Sequence, residues 1–178
     1  MFFSKTLLVL AALSTSVLGH AGVAPALGVK GTTIARNNVQ RPSNAKPCGN
    51  AALSGIDSST AVPLNGNSFT VTATNFNGGR DGSTQFTAQV DATGKGTGFK
   101  AATVTKNGQL APSGTGNVQI TVQMPAGMTC TGGASRNLCL VSFKSAGGFG
   151  NCVVVSCELN VIVLLKLGLI GHYFSWWR

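Results

Sequence analysis

The feature that most constrains this chain is a period of two in its apolar residues, which begins near Ser68 and recurs as far as Ser156. Phe69, Val71 and Ala73 alternate with Thr70, Thr72 and Thr74. Phe86, Ala88 and Val90 alternate with Thr87 and Gln89, and Val118, Ile120, Val122 and Met124 alternate with Gln119, Thr121 and Gln123. Successive side chains of a strand point to opposite faces, so each run marks a strand with one buried and one wet face. Leu138 to Lys144 and Cys152 to Ser156 are denser in apolar residues and read as more deeply buried strands. Turn signals separate the runs: Asn77-Gly78-Gly79, Gly94-Lys95-Gly96, Asn107-Gly108, Pro125-Ala126-Gly127 and Gly147-Gly148-Phe149-Gly150. Phe99 to Thr105, followed by Lys106-Asn107-Gly108, would start a hairpin. Short strands at this spacing predict an all-β fold, an immunoglobulin-like antiparallel β-sandwich.

Residues 20 to about 67 have no such period. Pro25, Pro42, Pro47 and Pro63 fall among Gly, Asn and Ser, and proline at this density disfavours a continuous helix or central strand. Long N-terminal loops wrapping the sandwich are expected, with one short strand near residues 22–28.

The first residues carry their own signal. Lys5 precedes an apolar run from Leu7 to Leu13, and Val17-Leu18-Gly19 follows a short Ser-Thr-Ser stretch. This is the pattern of a secretory signal peptide, expected over residues 1–19. Cleavage after Gly19 would make His20 the first residue of the mature protein. Its α-amine and imidazole together would form a chelate suited to copper. The plainer alternative is that Gly-His-Ala is only a cleavage context, and cleavage after Ala21 would remove the chelate.

Secretion bears on the five cysteines, which should pair in an oxidising route. The odd count leaves one over, and Cys157 is the candidate because the sequence changes character there. Four cysteines allow three connectivities. The favoured one is two disulfides: Cys130–Cys139, closing a Gly-rich loop, and Cys48–Cys152, pinning the N-terminal segment to the last strand. Zinc is a poor alternative, because there is no CxxC pair and no histidine among these cysteines.

The secreted domain is therefore expected over residues 20–156. The tail, residues 157–178, is a different text. It holds both tryptophans, the single tyrosine and His172 in an apolar run. It reads as a membrane segment, an ordinary packed tail or an artefactual extension. Lys166 at its centre argues against the first.

The formal net charge of +9 comes from scattered basic residues, with Asp57, Asp81, Asp91 and Glu158 as the only acids. No basic block or nucleic-acid motif accompanies the charge, so nucleic acid is not an expected partner. Loose attraction to an anionic surface, such as acidic cell-wall polysaccharide or a host surface, fits better. Simple solubility is the competing explanation.

Catalysis finds little support. A copper oxygenase of the lytic polysaccharide type needs a second histidine. The expected domain supplies only His20, so the likeness to N-terminal-histidine copper sandwich proteins is distant. Glycoside hydrolysis needs two placed carboxylates, and the three acids of the domain fall at turns or strand ends. No serine lies in a GxSxG elbow. No catalytic residue is assigned, and no cofactor is expected beyond the copper that His20 would hold.

The strongest local pattern is Thr74-Asn75-Phe76-Asn77-Gly78-Gly79-Arg80-Asp81-Gly82, with a related stretch, Ala146-Gly147-Gly148-Phe149-Gly150-Asn151-Cys152, before the last strand. Phe76, Asn77, Arg80, Asp81 and Phe149 could form a ligand loop in which an exposed ring stacks on a sugar and polar neighbours bond its hydroxyls. The alternative is that Phe76 and Phe149 plug the core beneath tight loops.

These stretches, with His20-Ala21-Gly22-Val23, Ala26-Leu27-Gly28-Val29, Pro47-Cys48-Gly49 and Cys130-Thr131-Gly132-Gly133, carry a resemblance. Over residues 1–156 the chain resembles the fungal appressorium-associated surface proteins, the Mas/Gas-type secreted virulence-factor family. The resemblance implies a secreted, extracellular or wall-associated protein linked to infection or development, and it supplies no catalytic residue. The expected protein is a monomeric surface component. A copper-dependent polysaccharide oxidase using His20 and a carbohydrate-binding module using loop aromatics are the competing classes.

Overall fold

The computed structural model describes residues 20–157. Eight strands follow in chain order: β1 (Ala21–Ala24), β2 (Val62–Pro63), β3 (Ser68–Asn75), β4 (Phe86–Asp91), β5 (Lys100–Lys106), β6 (Gly116–Gln123), β7 (Leu138–Ser145) and β8 (Gly150–Ser156). Helix is confined to 3-10 turns at Arg36–Asn38 and Leu53–Ser58. The all-β class is as expected from the alternation.

The strands form one sheet in the order β1-β3-β6-β5-β4-β7-β8-β2, and it curls over on itself. Its two halves make the layers of the expected sandwich, with β5 as the shared strand between β6 and β4. Neighbours are antiparallel except β2 and β8, so the sheet is mixed rather than purely antiparallel. The parallel pair is possible because β2 arrives from the long N-terminal segment rather than from a hairpin.

The alternation dictates the core. Phe69, Val71, Ala73, Ile120 and Val122 from one half meet Phe86, Val90, Val141, Phe143, Val153 and Val155 from the other. Phe143 is the hinge of this packing, with Phe86 and Phe69 edge-on to it at centroid distances of 6.2 and 6.5 Å. Such pairs favour the T-shaped arrangement because ring edges are positive and faces negative.

The dense runs of β7 and β8 have a separate cause. Their other face is buried as well: Leu138, Leu140, Cys152 and Val154 pack against Leu27, Cys48 and Ile56 of the N-terminal segment. A strand buried on both faces loses its polar alternation. The loops expected to wrap the sandwich thus lie over β8. Leu27 N–H donates to the Cys152 carbonyl at 2.8 Å, and Gln40 and Gly150 exchange two backbone bonds of 2.6 and 3.1 Å. Cys48 and Cys152 form a disulfide, with Cα atoms 5.0 Å apart, and it fixes this layer to the sheet.

The expected hairpin forms, since β5 pairs antiparallel with β6, but its turn is not a tight Asn107-Gly108 turn. Instead of turning tightly, Asn107 begins a long connection, and its amide both accepts from Phe86 N–H at 2.9 Å and donates to Phe86 C=O at 2.8 Å. The side chain thereby extends the ladder between β4 and β5.

Cys157 also departs from expectation. It belongs to the core, 8% exposed, and its N–H donates to Asn137 C=O at 2.8 Å. The signal segment 1–19 and the remainder of the tail, with His172, lie outside the described residues. Among the described residues, no helix is long and apolar enough to cross a membrane.

Candidate functional site

One end of the sheet gathers the start of β1, the β3–β4 connection, the β5–β6 connection and the β7–β8 connection. Backbone bonds tie them together: Phe76 N–H to His20 C=O at 2.8 Å, Gly79 N–H to Pro112 C=O at 2.7 Å, and Ala146 N–H to Gln85 C=O at 3.0 Å. Both Gly-rich stretches singled out in the sequence meet here, and their glycines are needed for close approach. A methyl group on Gly82 would overlap the Asn77 carbonyl oxygen, and one on Gly147 would come within 2.8 Å of the Arg80 and Asp81 carbonyl oxygens.

His20 sits half-buried at this end, next to β1. Its Nδ1 lies 2.6 Å from Asn77 Oδ1, while Asn77 Nδ2 donates to Gly78 C=O. The amide oxygen can only accept, so Nδ1 carries the proton and Nε2 faces the remaining surroundings. The imidazole packs on the Phe149 ring at a centroid distance of 4.6 Å.

Two arginines complete the cluster. Arg36 places its guanidinium 5.6 Å from the Phe76 centroid and donates to Phe76 C=O at 2.6 Å. Arg41 lies over the Phe149 ring at 4.1 Å. A guanidinium over a ring face is held by the ring quadrupole while its N–H edge remains free to bond a further partner. Arg36 is half-buried and Arg41 exposed. The cluster thus presents positive charge, an imidazole and the partly exposed Phe76 on one rim.

The structure brings His20, Phe76, Asn77 and Phe149 to one end of the sheet. Phe149 is 2% exposed and packs among Ala24, Ala26, Ile34 and Val39. It is a core plug beneath the loop and cannot offer its face to a sugar. Arg80 and Asp81 are exposed on the same loop, and their backbone carbonyls abut Gly147. Arg36 and Arg41 were not legible as site residues. They reach the aromatics across sequence separations that no local pattern reveals, from an irregular segment with no period.

The imidazole meets the Asn77 amide oxygen at Nδ1 and the Phe149 ring, and a copper centre there would need the α-amine of a processed His20 and further nitrogen or carboxylate ligands. Among the described residues, the one group of three potential metal ligands is Cys130, Cys139 and Cys157, which does not include His20.

Comparison with known proteins gives a consistent family. The model of the Egh16-like virulence factors matches residues 12–150. The appressoria-specific virulence factor GAS2 of Pyricularia oryzae strain 70-15 is 29% identical over 126 residues, covering 63% of this chain and 43% of that protein. The same factor described for Pyricularia oryzae without a strain gives the same figures. The match thus spans less than half the length of these relatives. No solved structure matches the chain.

Proposed function

This chain belongs to the Egh16-like virulence factor family, and on that premise we propose that it is a secreted fungal protein acting at the cell wall or host surface. In this reading it is a binding component rather than an enzyme. Its ligand is an acidic polysaccharide held at the rim formed by His20, Arg36, Phe76 and Arg41.

The carrying observation is the pair of guanidinium groups seated on Phe76 and Phe149 beside His20. Arginines held in place by rings lose less freedom on binding a carboxylate than free surface arginines would. The net charge, +9 over the full sequence with only Lys5 in the expected signal segment, adds a long-range attraction to an anionic polymer. The expected signal segment 1–19 supports the extracellular location, and the similarity to an appressoria-specific virulence factor supports a part in infection.

The chemistry asked of the rim is modest. Arg36 and Arg41 would bond carboxylate oxygens, His20 Nε2 would bond a hydroxyl, and Phe76 would pack against a ring edge. None of these steps makes or breaks a covalent bond. Co-sedimentation of the secreted protein with insoluble polymers tests the reading. Retention on de-esterified pectate gel, with little on chitin or cellulose, is expected. Equal retention on the neutral polymers would remove the charge-based account.

A further inference from the structure

Three of the five cysteines meet in one buried cluster, remote in sequence from the His20 rim. Cys130 lies in the connection before β7, Cys139 is within β7, and Cys157 directly follows β8. Their exposures are 2%, 0% and 8%. The three sulfur atoms lie within 4.8 Å of one another. A sulfur holds one disulfide partner at a time, so whichever bond forms, the third residue is a thiol against it.

The backbone accommodates either bond. The Cα–Cα separation is 4.8 Å for Cys130 and Cys139 and 5.7 Å for Cys130 and Cys157, both inside the usual disulfide range. A second observation bears on reactivity. The Cys130 backbone N–H donates to Cys157 Sγ at 3.3 Å. A donor of this kind favours negative charge on sulfur, and the thiolate is the attacking species in exchange.

We propose that this cluster is a thiol–disulfide exchange site in which Cys130 is the shared partner and its bond passes between Cys139 and Cys157. Starting from Cys130–Cys139, the Cys157 thiol gives up its proton and the thiolate attacks Cys130 Sγ. The new Cys130–Cys157 bond forms as the bond to Cys139 breaks. The electron pair of the broken bond stays on Cys139 Sγ, which takes up a proton. One disulfide and one thiol exist before and after, so no oxidant or reductant is consumed.

The two states tether different things. Cys130–Cys139 closes a connection nine residues apart in sequence, onto β7. Cys130–Cys157 spans 27 residues and ties the same connection to the point where the chain leaves β8. The free thiol also moves, from the slightly exposed Cys157 to the fully buried Cys139. Both positions are buried, and Cys157 is the less deeply buried of the two, so its thiol is the one a small alkylating reagent reaches first. This inference stands apart from polysaccharide binding and survives its failure.

The test uses the full secreted chain. Samples are quenched in acid at intervals during incubation with N-ethylmaleimide near neutral pH, digested with pepsin without reduction, and mapped by mass spectrometry. At time zero, both Cys130–Cys139 and Cys130–Cys157 peptides are expected. With time, alkylation at Cys157 should draw the population over, so that the Cys130–Cys157 linkage falls at least tenfold. Cys139→Ser should hold Cys130–Cys157 and resist alkylation, while Cys157→Ser should hold Cys130–Cys139 alone. A single linkage in the wild-type chain, or a Cys130–Cys157 fraction that does not change during alkylation, would overturn the proposal. A Cys157-linked dimer in place of the internal bond would do so as well. The wild-type time course decides the question even where a serine variant fails to fold.

Discussion

The side-chain amide of Asn151 closes the curled sheet onto the backbone of Val23. Asn151 Oδ1 accepts from Val23 N–H at 2.7 Å, and Asn151 Nδ2 donates to Val23 C=O at 2.8 Å. One side chain thus does for β1 what a neighbouring strand's backbone would do. Both residues are buried, at 2% and 0% exposure, so no water can substitute.

Asn151→Ala is accordingly expected to leave a buried donor and a buried acceptor on Val23 without partners. Each such group costs about 1–3 kcal/mol, which puts the loss at roughly 2–6 kcal/mol. Urea unfolding followed by fluorescence or circular dichroism measures it. A loss below about 0.5 kcal/mol, the scale of an ordinary surface change, would mean that the clamp contributes little.

The Cys48–Cys152 bond joins residues 104 apart and holds the N-terminal layer on β8. Replacing both cysteines with alanine is expected to cost about 2–5 kcal/mol. The same change should loosen the layer locally, so that amides near Leu27 and Gln40 exchange hydrogen faster than those of β3 and β6. Uniform change across the sheet would contradict this local attachment.

Asp91 is the fully buried acid of the described chain, and it is satisfied by its own loop. Its carboxylate accepts from Thr93 N–H and Oγ1–H and from the N–H groups of Gly96 and Thr97, at 2.7–3.0 Å. Asp91→Ala should destabilise the chain by about 2–4 kcal/mol through those orphaned donors without changing ligand retention. Lost retention with unchanged stability would place Asp91 in the binding surface instead.

Gly82→Ala tests how the rim is built. A side chain there would force the Asn77 carbonyl away and with it the loop that carries the Asn77 side chain. The expected result is a changed His20 imidazole resonance by NMR, because the Nδ1 bond to Asn77 is disturbed. An unchanged resonance would show that the loop tolerates the methyl group and that close packing at Gly82 does not position the site.

Much of the fold was legible because one-sided strands write their burial into the sequence. Phe69-Thr70-Val71-Thr72-Ala73 states both its period and its inner face. The curl of a single sheet was not legible, because Asn151 reads as one more polar residue in a Gly-rich stretch. Its role depends on Val23, 128 positions away. Asn107 misled for a related reason: Asn-Gly is a turn signal, yet its amide is engaged by Phe86. At the site, Phe76, Asn77 and His20 stood out by local composition. Arg36 and Arg41 did not, since stacking on a distant ring leaves no mark on neighbouring residues. Cys157 was set apart by the apolar composition of residues 159–178, whereas its position is fixed by β8, the strand that precedes it.

The most direct test of the binding account is calorimetric titration of the secreted protein with oligogalacturonate, alongside the double variant Arg36→Gln/Arg41→Gln. The account predicts measurable binding by the wild type that weakens as salt is raised. It predicts at least a tenfold loss in the double variant, corresponding to about 1.4 kcal/mol, with the melting transition nearly unchanged. Equal affinity of the variant and the wild type, or binding insensitive to salt, would contradict it.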